Sequence, residues 1–146
     1  MSTATAVKPS LTIKRRFTAP PAKAYSAWIE PEKIARWFGP PGSKIVDAKF
    51  DARAGGKYMI LAVSESGEEF HVSGTVKEAI ANERLVYDWA WRGTPERVSL
   101  VTVTFKPDGD GTLFTLTHEQ FFDEQARDRH NQGWEAVLNK LEAFLA

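Results

Sequence analysis

From Leu11 to His118, apolar and polar residues alternate with a period of two in a series of short runs; from Asp123 to Ala146 the period becomes 3.6. In the first run Leu11, Ile13 and Phe17 alternate with Thr12, Lys14 and Arg16, which predicts a strand with one apolar face. Arg15 falls on that face, where a charge needs an acidic partner, a set of carbonyls or a ligand. Ala19-Pro20-Pro21 ends the strand and opens a helix carrying Ala24, Ala27 and Trp28 on one face. Pro31 interrupts it and starts a second short helix, with Ile34, Trp37 and Phe38 together, which Gly39-Pro40-Pro41-Gly42 stops. The rings of Trp37 and Phe38 beside a stiff loop suit core anchoring, an entrance gate or an interaction site.

Period two resumes with Val46, Ala48 and Phe50 on one face, followed by a turn at Ala54-Gly55-Gly56. Residues Lys57 to Val63 are apolar on both faces, Glu65-Ser66-Gly67-Glu68 turns, and Phe70, Val72, Gly74 and Val76 then oppose an outward-facing His71 and its neighbours. A glycine at 74, inside a strand, marks a bulge or bend that curls the sheet. Leu85, Tyr87, Trp89 and Trp91 share one side of the next strand, an aromatic wall fit to line a pocket. Val101, Val103 and Phe105, the turn Pro107 to Gly111, and the run Leu113 to His118 complete the strands.

The last segment places Ala126, His130, Gly133, Trp134, Val137, Leu138, Leu141, Phe144 and Leu145 on one stripe of a long helix, with Asp123 as its N-cap. Two members interrupt that stripe. Gly133 costs about 1 kcal/mol relative to alanine in a helix interior, and His130 is polar on a buried face. Either the helix meets the sheet, or a ligand, most closely at Gly133, or a cavity lies beneath it. Residues 1–9 read as a flexible segment and 10–146 as one domain.

Lysine plus arginine and aspartate plus glutamate both number 19, so the formal net charge is zero, which offers no electrostatic footprint for nucleic acid or an anionic membrane. The absence of cysteine removes disulfides, thiolate nucleophiles and cysteine-based zinc sites. The N-terminal stretch has no signal-peptide core, and no apolar run approaches the roughly 20 residues that span a bilayer, so a cytoplasmic protein is expected.

Motif chemistry is sparse. His118-Glu119 lacks the second histidine, one turn later, of a zinc-peptidase motif, because Phe122 stands there. The three histidines have no ligand spacing, Asp108-Gly109-Asp110-Gly111 is too short for a calcium loop, and Gly55-Gly56 is too short to cradle phosphate. No metal, no cofactor and no catalytic residue is therefore assigned. His118 shares a face with Phe114 and Leu116, and with His130 can look into one cavity, either as hydrogen-bonded core residues or as an acid–base pair.

Beyond these patterns, the chain resembles the family of the activator of the ninety-kilodalton heat-shock protein ATPase, within the START-like (SRPBCC) helix-grip superfamily. The resemblance is carried by Arg15-Arg16-Phe17-Thr18-Ala19-Pro20, Trp28-Ile29-Glu30-Pro31-Glu32, Trp37-Phe38-Gly39-Pro40, Gly55-Gly56-Lys57-Tyr58, Gly74-Thr75-Val76, Asp88-Trp89, Thr117-His118-Glu119 and Gly133-Trp134. It implies an α+β fold: a curved seven-stranded antiparallel sheet, two short helices, and a long C-terminal helix over a cavity that holds an apolar or amphipathic small molecule. It implies no shared catalytic residue. A chaperone partner and a role in the stress response are suggested by the family name, but the eukaryotic co-chaperone carries a further N-terminal chaperone-binding domain that a chain of this length lacks.

The leading expectation is a non-catalytic protein that binds a small apolar or aromatic molecule through Arg15, Trp37, Phe38, Trp89, Trp91, His118, His130, Gly133 and Trp134. A cyclase- or hydrolase-type enzyme using the same cavity, and a protein-interaction module built on Trp37, Phe38 and the proline loop, are the alternatives. A weak homodimer is compatible with each.

Overall fold

Alternation, punctuated by glycine and proline, builds seven strands and three helices among the described residues. These are β1 (Leu11–Phe17), α1 (Pro21–Ile29), α2 (Pro31–Trp37), β2 (Ser43–Phe50), β3 (Lys57–Ser64), β4 (Glu69–Ile80), β5 (Arg84–Trp91), β6 (Ser99–Asp108), β7 (Gly111–Glu119) and α3 (Glu124–Leu145). The computed structural model describes residues 8–146. The flexible segment expected over residues 1–9 lies, for residues 1–7, outside the described residues, while the Pro9 carbonyl already accepts a hydrogen bond from the Phe121 amide at 3.1 Å.

Consecutive strands pair as antiparallel hairpins from β2 to β7, and β1 closes the far edge against β7, giving one sheet in the order β1-β7-β6-β5-β4-β3-β2. Register runs from Leu11 opposite His118 to Phe17 opposite Thr112 along that closing pair. All three helices contribute to the core on the concave side, which is the expected helix-grip arrangement.

Bulges supply the curl. One shifts register between Val76 and Glu78 in β4, two residues beyond Gly74, where an added Cβ would collide with the backbone carbonyl and the carboxylate of Asp88. That carboxylate accepts the Thr75 amide at 2.8 Å, so this amide keeps a partner where the strand bends. A second bulge, between Ile45 and Asp47 in β2, corrects the alternation read from the sequence: Val46 turns outward, 58% exposed, and Ile45 packs against the core in its place. One inserted residue reverses the faces on either side of it.

Aromatic rings fill the centre. Trp28 stacks on Trp134 with centroids 6.0 Å apart and lies 4.8 Å from Trp37, and its indole N–H donates to the Tyr87 hydroxyl at 3.1 Å. Helix α3 starts where Asp123 accepts the Ala126 amide at 2.7 Å, and it buries Ala126, Trp134, Val137, Leu138, Leu141 and Leu145. From the edge strand, the guanidinium of Arg15 donates to Asn139 at 2.9 Å and pairs with Glu135 at 3.1 Å. The charge on the apolar face of β1 thus fastens the strand to the solvent-facing side of the helix.

Candidate functional site

Between α3 and the α2–β2 loop the sheet is not fully covered, and a groove of about 640 Å³ remains. Phe38, Gly39, Pro40 and Pro41 form one wall; Trp89 and Trp91 of β5 with Phe70 of β4 form the floor; Arg129, His130, Gln132, Gly133, Trp134, Ala136 and Val137 of α3 form the other wall. The loop is stiff for local reasons. Gly39 and Gly42 have φ of 99° and 83°, values that favour glycine. The Pro40 carbonyl accepts both the amide and the hydroxyl of Ser43, at 3.1 and 2.6 Å. Lys140 then ties this loop to the helix, donating to the Gly39 carbonyl at 3.0 Å.

Six of the nine residues singled out from the sequence meet at this groove: Phe38, Trp89, Trp91, His130, Gly133 and Trp134. The other three lie elsewhere. Arg15 is spent on the polar side of α3. Trp37 does not form an exposed gate with Phe38; it is 1% exposed and donates its N–H to the Ala27 carbonyl at 2.9 Å, as a core anchor does. His118 is fully buried, behind the aromatic wall rather than on its surface.

The two histidines do come together, with ring centroids 5.2 Å apart, but every ring nitrogen is committed. His118 Nδ1 accepts the Trp134 indole N–H at 3.0 Å, which leaves the Nε2 proton to donate to Ser99 Oγ at 2.7 Å. His130 has the opposite tautomer: Nε2 accepts the Trp91 indole N–H at 2.8 Å, and Nδ1 donates to the Ala126 carbonyl at 2.7 Å. Burial first, and the neighbouring His130 second, hold the His118 pKa well below its ordinary value. Burial also lowers that of His130, with the Ala126 hydrogen bond opposing it and the Arg129 charge reinforcing it. Both rings are neutral and saturated, so an acid–base reading loses its carriers.

Gly133 has a reason other than tight packing. A Cβ there would meet nothing within 4 Å, which corrects the expectation of a close helix–sheet approach; the glycine instead borders the groove. Phe70, Arg129, Gln132 and Val137 were missed as groove residues. Phe70 and Val137 carried the apolar signal that marks inner faces in general. Arg129 is four residues before Gly133 and therefore on the same side of the helix, a relation visible in the sequence once Gly133 is placed at the groove. Among the described residues, no group of three or more histidine, cysteine, aspartate or glutamate side chains is placed to hold a metal ion.

The fold has close counterparts. A protein from Chromobacterium violaceum superposes with a TM-score of 0.84 at 25% identity, over 94% of this chain and 97% of its own. A protein from Rhizobium leguminosarum gives 0.78 at 29% identity, over 94% and 93%. CalU16 from Micromonospora echinospora gives 0.71 at 29% identity, over 94% of this chain and 76% of its own. No functionally curated protein matches. The family model of the activator of Hsp90 ATPase homolog 1-like proteins matches residues 18–146, a span from the end of β1 through α3 that contains every groove residue, and the chain belongs to that family.

Proposed function

We propose that this protein is a non-catalytic binder of a small apolar, aromatic or amphipathic molecule, held in the groove between α3 and the α2–β2 loop. The observation that carries the reading is the aromatic floor between two braced walls, where Trp91 and Phe70 are half-buried and lie beside the buried ring of Trp89. A volume of about 640 Å³ falls within the roughly 300–1,000 Å³ typical of small-molecule sites. Five indole or phenyl rings from Phe38, Phe70, Trp89, Trp91 and Trp134 face or border it, and flat rings give much contact area at low conformational cost. The saturated histidines suit holding over turnover. Among the described residues no helix is long and apolar enough to cross a membrane.

Thermal unfolding against fatty acids, sterols and aromatic polyketides tests the proposal. A true ligand at about one hundred times its dissociation constant adds about 2.7 kcal/mol of stability. Gly133→Phe places a ring in the groove from a position where a side chain meets no obstacle, and it should abolish that gain while leaving the fold intact. Absence of a shift with every ligand class, or a shift undiminished by Gly133→Phe, would overturn the reading.

A further inference from the structure

The polar groups at the groove are nearly all spoken for, and two of the three left over can only donate. The indole N–H groups of Trp91 and Trp134 donate to His130 and His118. Both ring nitrogens of His130 are occupied. The carbonyls of Gly39 and Pro40 accept from Lys140 and Ser43. Among the described residues, three of the groove's side chains retain capacity: Arg129, Gln132 and Trp89. Arg129 is exposed and has no ion-pair partner among the described residues. The Trp89 N–H is buried without an acceptor, an unfavourable state for a donor. Guanidinium and indole only donate, and the amide of Gln132 can do either.

Charge points the same way. Arg129 is the one formally charged side chain among the groove's lining residues, and no carboxylate lines it. A cationic ligand would find aromatic faces but also a fixed positive charge at the rim; an anion finds complementary charge and donors. Taking the small-molecule reading above as its basis, we infer that the ligand is an anionic amphipath, with an apolar or aromatic body on the Trp89–Trp91 floor and a carboxylate-type, acceptor-only head group at Arg129.

The test compares six probes of matched body and different head group: decanoate, decanol and decylammonium, then 2-naphthoate, 2-naphthol and 2-naphthylmethylammonium. Binding is followed by tryptophan fluorescence at low ionic strength, where an exposed charge is least screened, and below micellar concentrations. In the native protein, the carboxylate of at least one body should bind about tenfold tighter than its alcohol, as a charge-assisted hydrogen bond provides, and tighter still than its ammonium. Arg129→Gln should cut carboxylate affinity about tenfold and alcohol affinity by less, erasing the preference, and Arg129→Glu should reverse it toward the ammonium.

Equal affinity across head groups would overturn the anionic assignment while leaving small-molecule binding in the groove intact. A carboxylate preference that survives Arg129→Gln would overturn the role of Arg129. Failure of all six probes to bind, or binding untouched by Gly133→Phe, would remove the groove reading and this inference together.

Discussion

Gly74 and Gly133 each interrupt a regular element, for opposite physical reasons. At Gly74 there is no room, because Asp88 occupies the space a Cβ would take. At Gly133 there is nothing but room, since the position faces the groove. Gly133→Ala should therefore stabilise the protein by about 0.5–1 kcal/mol, the entropy and propensity advantage of alanine in a helix with no clash to offset it. Urea unfolding measures this directly, and a loss of stability would show that α3 needs the glycine for its own geometry. The sequence marked both glycines as unusual. It could not tell crowding from vacancy, because that depends on what other segments place opposite them.

Element boundaries follow from short-range chemistry. Asp123 fills the N-cap role because its carboxylate satisfies the Ala126 amide, one of the donors every helix start leaves unpaired. Asp123→Ala should cost about 1 kcal/mol in chemical denaturation, while Asp123→Ser should restore most of it; equal losses would assign the effect to something other than the cap. Strand faces were legible for β5, β6 and β7, where unbroken alternation put Trp89, Phe105 and His118 on the inner side as read. Strand β2 was not, because the bulge at Ile45 and Asp47 is a property of its pairing with β3. Trp37 shows the same limit: its helical spacing is local, whereas its burial depends on Trp28 and the Ala27 carbonyl of a preceding helix.

Across the whole molecule, the neutral histidines link β6, β7, α3 and the Trp91 end of β5, and they make the fold sensitive to acid. Above a pH of about 6.5, both rings are neutral folded and unfolded, so they add no pH dependence. As pH falls through that value, the unfolded chain takes up protons that the folded rings, with their lowered pKa values, refuse. Stability should then decline by up to about 1.4 kcal/mol per pH unit for each histidine until its folded pKa is reached. Unfolding free energies measured from pH 8 to 5 should be flat and then fall, and His130→Asn should lessen the slope by up to about one proton. A curve that rises toward pH 5 would mean that these rings are charged in the fold.

By itself the sequence determined the order of elements, the aromatic side of β5, the buried stripe of α3, and, through its resemblance, the helix-grip arrangement. These depend on periodicity, turn chemistry and capping, which act over a few residues. Tertiary structure alone decided that Arg15 spans to Glu135 and Asn139, that Trp134 and Ser99 saturate His118 while Trp91 and Ala126 saturate His130, and that Arg129, without an ion-pair partner among the described residues, borders the aromatic groove. Each of these depends on a partner contributed by a distant segment once the sheet has curled, and no local pattern of residues encodes whether that partner leaves a nitrogen, a charge or a space unoccupied.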